Sequence, residues 1–143
     1  ATAVYVDAGH SRWTAAGEMA NRLNQVGVAK ARGFSLNTAN FFTTEEEIGF
    51  GDAVSGMTGG AHYVIDTSRN GVGPAEGVEL DWCNPGGRAL GAAPTTATAS
   101  PNVDAYLWVK RPGESDGSCN RGEAPAGRFV NSYAMDLVNN AGQ

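Results

Sequence analysis

The sequence predicts an α/β fold in which short parallel strands alternate with helices. Four short apolar runs are bounded by turn residues, as buried strands are, and three other segments repeat apolar residues at helical spacing. Parallel neighbours in a sheet need crossover connections, and this alternation supplies them. Four such units amount to about half of a TIM-like β/α barrel of about 250 residues, so we expect about half of a parallel barrel.

The first half of the chain is predicted to form two strands and two helices. The strands are the apolar runs Val4–Val6 and Phe34–Leu36. The first helix ends at Gly27, and its apolar face consists of Ala16, Met19, Leu23 and Val26. The second helix has an apolar face that consists of Phe50, Val54 and Met57. Thr44 and Glu47 have the spacing of a capping box, so we expect this helix to begin there.

The second half of the chain is predicted to form two strands and one helix. The strands are Tyr63–Ile65 and Ala105–Val109, and the final helix has an apolar face formed by Phe129, Tyr133 and Leu137. The stretch 70–102 is long for a connection inside a compact α/β unit, which is typical of a functional loop. We find no internal repeat or flexible linker and therefore treat residues 1–143 as parts of a single domain.

Composition limits the classes of partner. The chain has 143 residues, a net charge of -5 and only 17% charged residues. An acidic chain is poorly suited to bind nucleic acid or an anionic membrane, and a neutral substrate fits better. No apolar run approaches the roughly 20 residues that a membrane-spanning helix needs.

The two cysteines, Cys83 and Cys119, lie in loops rich in Gly, Pro and Asn. We interpret them as one disulfide that joins the two loops, with two free thiols as the alternative. A disulfide indicates an oxidising environment, so we expect a secreted, extracellular protein. The sequence shows no recognised metal-ligand spacing, and neither a metal nor another cofactor is predicted.

Polar side chains follow every predicted strand. In strand order they are Asp7 and His10; Asn37 and Asn40; Asp66 and Arg69; and Lys110, Glu114 and Asp116. Because the carboxyl ends of parallel strands meet at one edge, we expect these side chains on one rim, where barrels place their active sites. Structural alternatives exist for each of them: Asp66 and Arg69 form an ion pair in the simplest interpretation, and His10 only caps a loop.

The residue types favour acid/base chemistry on a polyol. Carboxylates can transfer protons, amides and cations can bind hydroxyl groups, and exposed Trp side chains can stack on sugar rings. Trp13 and Trp82 lie in loop or helix-cap contexts where a core Trp is less expected. In the alternative interpretation, the two tryptophans are half-buried and only anchor their loops.

One segment also matches a serine-hydrolase motif. The segment 113–117 fits the pattern G-x-S-x-G of the nucleophile elbow. That elbow requires a helix directly after the serine and a histidine later in the chain. Here a loop follows Ser115, and His10 and His62 both precede it. We therefore reject the serine-hydrolase interpretation.

Five segments together resemble glycoside hydrolase family 6, the cellulases that cleave β-1,4-glucan. They are residues 4–13, 37–41, 64–71, 82–91 and 108–117. The resemblance covers essentially the whole chain, with all five motifs in order. It implies a distorted parallel β/α barrel with a cleft along its top, and hydrolysis with inversion at the anomeric carbon.

The resemblance also implies roles for individual residues. Asp116 corresponds to the general base, acting through a chain of water molecules, and Asp7 to a carboxylate beside the reacting sugar. The positions that bind β-1,4-glucan (cellulose and cello-oligosaccharides) correspond to His10, Trp13, Asn40, Trp82, Lys110 and Glu114. Cys83 and Cys119 correspond to a family disulfide, which agrees with the interpretation from the loops.

The general acid of the family is an Asp on a strand upstream of the one that leads to Asp7. We therefore expect this chain to be the C-terminal portion of a catalytic domain, to lack the acid, and to need the N-terminal half as a partner. The segment 117–129 is short, whereas relatives that act on chain ends carry a long insertion there. This favours an open cleft and an endoglucanase; the alternatives are a cellobiohydrolase or a catalytically incomplete glucan-binding fragment.

Overall fold

The computed structural model describes residues 2–142 and contains a parallel sheet of four strands in chain order. The strands are β1 (Tyr5–Asp7), β2 (Gly33–Leu36), β3 (His62–Asp66) and β4 (Val103–Leu107). Every neighbouring pair is parallel, with Val6 opposite Phe34 and Ile65 opposite Tyr106. The predicted α/β fold with parallel strands is confirmed, and the carboxyl ends of the strands share one edge of the sheet.

Strand β4 begins and ends two residues earlier than the apolar run Ala105–Val109 predicted. The earlier start includes Asp104, a charged residue whose carboxylate is hydrogen-bonded to residues at the amino ends of the other strands. Arg32 Nε donates to it at 2.6 Å, the Tyr5 hydroxyl donates at 2.7 Å, and His62 Nδ1 lies 2.9 Å away. This cluster joins the amino ends of all four strands. The hydrogen bond from Arg32 is the main reason why the pKa of Asp104 is lowered to about 2.

The described helices are α1 (Ala16–Val26), α2 (Thr44–Met57), α3 (Asn131–Ala141) and a short 3₁₀ turn (Val28–Lys30). Helix α1 ends as predicted at Gly27, which has a left-handed φ of 82°. The N-cap of α2 is Thr43, whose hydroxyl accepts the Glu46 N–H at 3.3 Å. The predicted capping box of Thr44 and Glu47 is therefore wrong by one residue. The pair Thr43 and Glu46 has the same three-residue spacing as the pair Thr44 and Glu47, so spacing alone does not distinguish them. The Glu47 side chain is buried rather than turned back to the cap.

Helix α3 begins after the first residue of its predicted apolar face. Phe129 is exposed and precedes the helix because it forms an antiparallel bridge with Glu114. Tyr133 and Leu137 do lie in α3, and Leu137 is fully buried. The bridge holds the loop after β4 against the start of the last helix.

The apolar core lies between the sheet and helices α1 and α2. Phe34 of β2 and Tyr63 of β3 stack with ring centroids 5.1 Å apart, and Leu23 and Val54 reach them from the helices. Gly51 permits this close packing, since a Cβ at this position would lie 2.4 Å from the Tyr63 ring. The core fixes the helices on the sheet and so sets the positions of the loops at the strand ends.

The predicted disulfide is present between Cys83 and Cys119. It joins the long β3–β4 connection to the loop that follows β4, and residues 2–142 contain no free cysteine. Among these residues, no helix combines the length and the apolar character needed to cross a bilayer.

Candidate active site

A cleft of about 700 Å³ lies where the strand-end loops meet. Five of the predicted site residues line it, from the loops after β1, β2 and β4 and from the long β3–β4 connection. They are His10, Asn40, Trp82, Lys110 and Asp116. Residues distant in the chain therefore present a carboxylate, a cation, an amide, an imidazole and an indole to one space.

Three predicted site residues do not line this cleft. Asp7 and Trp13 line a neighbouring groove of about 130 Å³ against α1, and one oxygen of Asp7 accepts the Gly9 N–H at 2.9 Å. Glu114 is half-buried and forms an ion pair with Arg111. The structure thus gives Glu114 a protein partner at the position where the resemblance implies sugar binding.

Asp116 is surrounded by donors although its side chain is only 8% exposed. Arg69 Nη1 donates to its Oδ2 at 2.7 Å, the Asn84 N–H donates to the same oxygen at 3.0 Å, and Lys110 Nζ lies 3.1 Å from Oδ1. Burial raises the pKa of Asp116, but the hydrogen bond and charge of Arg69, aided by Asn84 and Lys110, outweigh this effect. The pKa is therefore lowered, and the carboxylate is held in its ionised form.

Arg69 belongs to the candidate site through its contact with Asp116, which the sequence did not predict. The expected ion pair with Asp66 is wrong, because the buried Arg69 guanidinium pairs with Asp116. Its other contacts are a hydrogen bond from Nη1 to the Tyr133 hydroxyl at 3.0 Å and one from Nη2 to the Ala39 carbonyl at 2.5 Å. Arg69 lies three residues after Asp66 at the end of a strand. This spacing alone does not show whether Arg69 pairs with Asp66 or with Asp116.

The loop after β1 is held by the N-terminus of α2 on one side of the cleft. Arg12 donates to Glu46 at 2.7 Å and to Glu76 at 3.0 Å, which links this loop to α2 and to the β3–β4 connection. His10 stacks on Phe42 with ring centroids 4.4 Å apart. Burial lowers the pKa of His10 more than Glu46 raises it, so its imidazole favours the neutral form.

The two tryptophans predicted to stack on sugars are both solvent-exposed. Trp82 is 53% exposed inside the cleft, and Trp13 is 59% exposed, with the Arg22 guanidinium 5.4 Å from its ring. A large exposed indole in a concave site is suited to ligand stacking, whereas a loop anchor would be more deeply buried. Residues 2–142 contain no cluster of three or more His, Cys, Asp or Glu side chains arranged to hold a metal ion.

The sequence model of the family described as Glycosyl hydrolases family 6 matches residues 1–141. The chain belongs to this family. The predicted resemblance is confirmed, and the similarity to solved family 6 structures confirms a TIM-like, distorted barrel architecture for the matched part.

Relatives of this family 6 chain include bacterial and fungal cellulases. Endoglucanase A of Cellulomonas fimi is 49% identical over 138 residues, which are 96% of this chain and 30% of the relative. A probable 1,4-β-D-glucan cellobiohydrolase C of Aspergillus terreus is 35% identical over 183 residues, covering 97% of this chain and 39% of the relative. The chain thus spans less than half the length of these relatives.

A solved structure of the endoglucanase Cel6 from Mycobacterium tuberculosis is similar to the family 6 chain throughout. The sequence identity is 72% and the TM-score 0.96, with 99% of this chain and 48% of that chain covered. That protein was solved in complex with methyl-cellobiosyl-4-deoxy-4-thio-β-D-cellobioside.

Proposed function

We propose that this chain forms part of an endo-β-1,4-glucanase that hydrolyses internal bonds of cellulose and related β-glucans with inversion. The observation that carries the proposal is the cleft that both the exposed Trp82 and the ion-paired Asp116 line. It is supported by the 72% identical Cel6 structure, whose ligand is a thio-linked cello-oligosaccharide.

In this proposal Asp116 is the general base. Its hydrogen bonds to Arg69 and Lys110 keep it ionised, and a carboxylate with a lowered pKa is a weak base. An inverting enzyme places its two carboxyl groups about 6.5–9.5 Å apart, which leaves room for the attacking water. A chain of water molecules between the sugar and Asp116 would then carry the proton of the attacking water to the carboxylate, which lies beside two cations.

We further propose that the general acid is supplied by a segment outside this chain, and that residues 1–143 form the C-terminal portion of the catalytic domain. Within residues 2–142, β1 pairs on one side only, with β2. An unpaired strand edge in a parallel sheet normally receives another strand. The N-terminal half of the domain is the partner we propose there, and we call the two halves together the complete enzyme.

The proposed sugar contacts divide between the cleft and the neighbouring groove. His10, Asn40, Trp82 and Lys110 would bind glucose units in the cleft. Asp7 would lie beside the reacting sugar, and Trp13 would stack on the leaving-group side. Glu114 would have to exchange its ion pair with Arg111 for a sugar hydroxyl. The Cys83–Cys119 disulfide supports a secreted location, since such bonds persist mainly in oxidising compartments.

A cellobiohydrolase is the second candidate, because relatives with that name also match. The alignment with the Aspergillus terreus protein runs over 183 residues, against 138 for Endoglucanase A, although both cover nearly the same share of this chain. The cellobiohydrolase therefore carries segments that this chain does not have. Missing insertions favour an open cleft and endo action.

The test is the viscosity of carboxymethylcellulose treated with the complete enzyme. An endoglucanase lowers viscosity quickly relative to the reducing ends it releases, whereas slow viscosity loss with steady cellobiose release would establish the cellobiohydrolase. Asp116→Asn is expected to reduce kcat at least about a hundredfold while cello-oligosaccharides still bind. Asp136→Asn, on the exposed face of α3, is the matched control and keeps full activity. Binding without any hydrolysis by the complete enzyme would identify a glucan-binding protein.

A further inference from the structure

Asp66, the last residue of β3, is 1% exposed and binds the backbone of three different loop positions. Its Oδ2 accepts the N–H of Ala39 at 3.0 Å and the N–H of Lys110 at 2.9 Å, and its Oδ1 accepts the N–H of Ser68 at 2.9 Å. These three amides follow β2, β4 and β3, respectively. One buried carboxylate therefore connects the carboxyl ends of three adjacent strands.

Each of these three backbone positions leads to a group that holds Asp116. Lys110 itself contacts Asp116 Oδ1 through Nζ at 3.1 Å. Ser68 directly precedes Arg69, whose Nη1 donates to Asp116 Oδ2 at 2.7 Å. The Ala39 carbonyl accepts the Nη2 of the same arginine, on the opposite side of the guanidinium group. Both cations beside Asp116 thus depend on backbone that Asp66 fixes.

The loop after β2 adds a reason why a strong anchor is needed there. Asn37 and Ala39 both have positive φ values, 64° and 60°; asparagine tolerates this region, but alanine adopts it at a cost in energy. The Asp66 carboxylate holds the Ala39 N–H, and the Asp66 carbonyl accepts the Asn37 side-chain amide at 3.0 Å. Charged acceptors make stronger hydrogen bonds than neutral ones, so Asp66 can hold this loop in its strained conformation.

We propose that Asp66 is a positioning residue for the hydrolytic reaction, which holds Arg69 and Lys110 against Asp116 through the backbone of their loops. The proposal rests on the proposed function in so far as Asp116 is catalytic. An asparagine at this position has only one side-chain oxygen, and its NH₂ group would face one of the three backbone N–H donors. At least one loop then loses its anchor, and the cations are placed less accurately.

The experiment compares Asp66→Asn with Asp52→Asn in the complete enzyme. Asp52 is a matched control, because its carboxylate also accepts three hydrogen bonds, from Tyr63, Ser100 and Asn102, at the other end of the strands. Asp66→Asn is expected to lower kcat about tenfold to a hundredfold, with KM for cellotetraose changed less than about threefold. Asp52→Asn lowers the melting temperature and leaves both constants within about twofold.

A second readout follows Asp116 itself and does not require activity. Carboxyl ¹³C NMR, with the Asp116 signal assigned from Asp116→Asn, gives its titration midpoint in each variant. Arg69, Lys110 and the backbone of Asn84 contact it directly, and the Tyr133 hydroxyl accepts a hydrogen bond from the same Arg69 nitrogen. In Asp66→Asn the midpoint is expected to rise by about one pH unit, because an opposite charge held less closely lowers the pKa less. An unchanged midpoint in the folded variant would overturn the proposal.

The remaining outcomes are also decisive. If Asp116→Asn retains full kcat, the proposed role of Asp116 as general base fails, while the titration still tests whether Asp66 positions the cations. If Asp66→Asn does not fold, amide hydrogen exchange of the wild-type enzyme replaces it. The N–H groups of Ala39, Ser68 and Lys110 should then all be strongly protected, and exchange of any one at the rate of an unstructured amide refutes the shared anchor.

Discussion

Arg69 lies fully buried beneath Asp116 and donates a hydrogen bond of 2.7 Å to its carboxylate. The guanidinium also lies 4.2 Å from the ring centroid of Phe41 and bonds the Ala39 carbonyl. A buried cation is tolerated only when its charge is matched, and Asp116 supplies that match. The proposed base is therefore also the structural partner of a buried cation.

Removing the Arg69 guanidinium should lower the stability of the protein. The Asp116 side chain is only 8% exposed, and Arg69→Met leaves Lys110 as its remaining cation. We therefore expect a loss of about 3–5 kcal/mol in the free energy of unfolding. Urea denaturation of the complete enzyme measures the loss. Arg22→Met is the control, because Arg22 forms an exposed helical pair with Glu18 and lies over the exposed Trp13 ring, and its loss should cost only about 1 kcal/mol. Equal losses in the two variants would contradict the importance of the buried pair.

Trp82 should contribute to substrate affinity rather than to the chemical step. Trp82→Ala removes the exposed indole from the cleft, and we expect KM for cellotetraose to rise roughly tenfold with little change in kcat. Trp82→Phe retains an aromatic face and should recover part of the affinity. Trp108, whose indole N–H donates to the Ala92 carbonyl at 2.9 Å, is the control, since Trp108→Phe leaves the cleft intact. An unchanged KM in Trp82→Ala would support the loop-anchor interpretation.

Glu47 should make the protein less stable above neutral pH. Its side chain is fully buried, one oxygen accepts the Ser11 N–H at 3.0 Å, and the other has no partner among residues 2–142. Burial raises the pKa of Glu47 to about 7. Between about pH 4.5 and about pH 7 the folded protein therefore keeps a proton on Glu47 that the unfolded chain has released. The stability that protonated Glu47 contributes is complete below about pH 4.5 and is lost as the pH rises through about 7.

The substitution Glu47→Gln keeps an uncharged side chain of the same shape and should remove this pH dependence. We expect a gain on the order of 2 kcal/mol in unfolding free energy at pH 8 relative to the wild type, and little difference at pH 4. Thermal melts at the two pH values measure it. Glu45→Gln, on the exposed side of the same helical turn, should change neither value. A gain of equal size at both pH values would show that ionisation of Glu47 is not the cause.

The Asp104 cluster should have the opposite pH dependence. The hydrogen bond from Arg32 lowers the pKa of Asp104 to about 2, so protonation favours the unfolded chain. The stability that Asp104 contributes is complete above about pH 4 and is lost as the pH falls through about 2. Asp104→Asn should flatten the stability curve between pH 4 and pH 2 in urea titrations. A wild-type slope retained in the variant would place the acid sensitivity elsewhere.

The sequence predicted the features that depend on local pattern. Alternating apolar runs and helical segments indicated the parallel sheet, and loop composition indicated the disulfide between Cys83 and Cys119. Strand limits were less accurate, because Asp104 lies in β4 with its charge satisfied by residues at or just before the amino ends of the other three strands. Hydropathy does not record such long-range partners.

The sequence predicted which residues share the candidate site more accurately than which of them contact each other. Five strand-end residues do share the cleft, because parallel strands bring their carboxyl ends together. The partner of Arg69 could not be read from the sequence, since both Asp66 and Asp116 are carboxylates near a strand end. The three-dimensional arrangement decides between them: the backbone occupies Asp66, and the guanidinium reaches Asp116.

The disulfide has a consequence for proteolysis. Cys83 and Cys119 are 36 residues apart in sequence, and the covalent ring that they close includes all of β4 and Lys110 and Asp116. A single peptide-bond cut inside this ring leaves both products attached to each other. A nicked molecule would therefore migrate as one species on a non-reducing gel and keep Trp82 tethered to the loop that carries Asp116, while the same nick under reducing conditions would release two fragments.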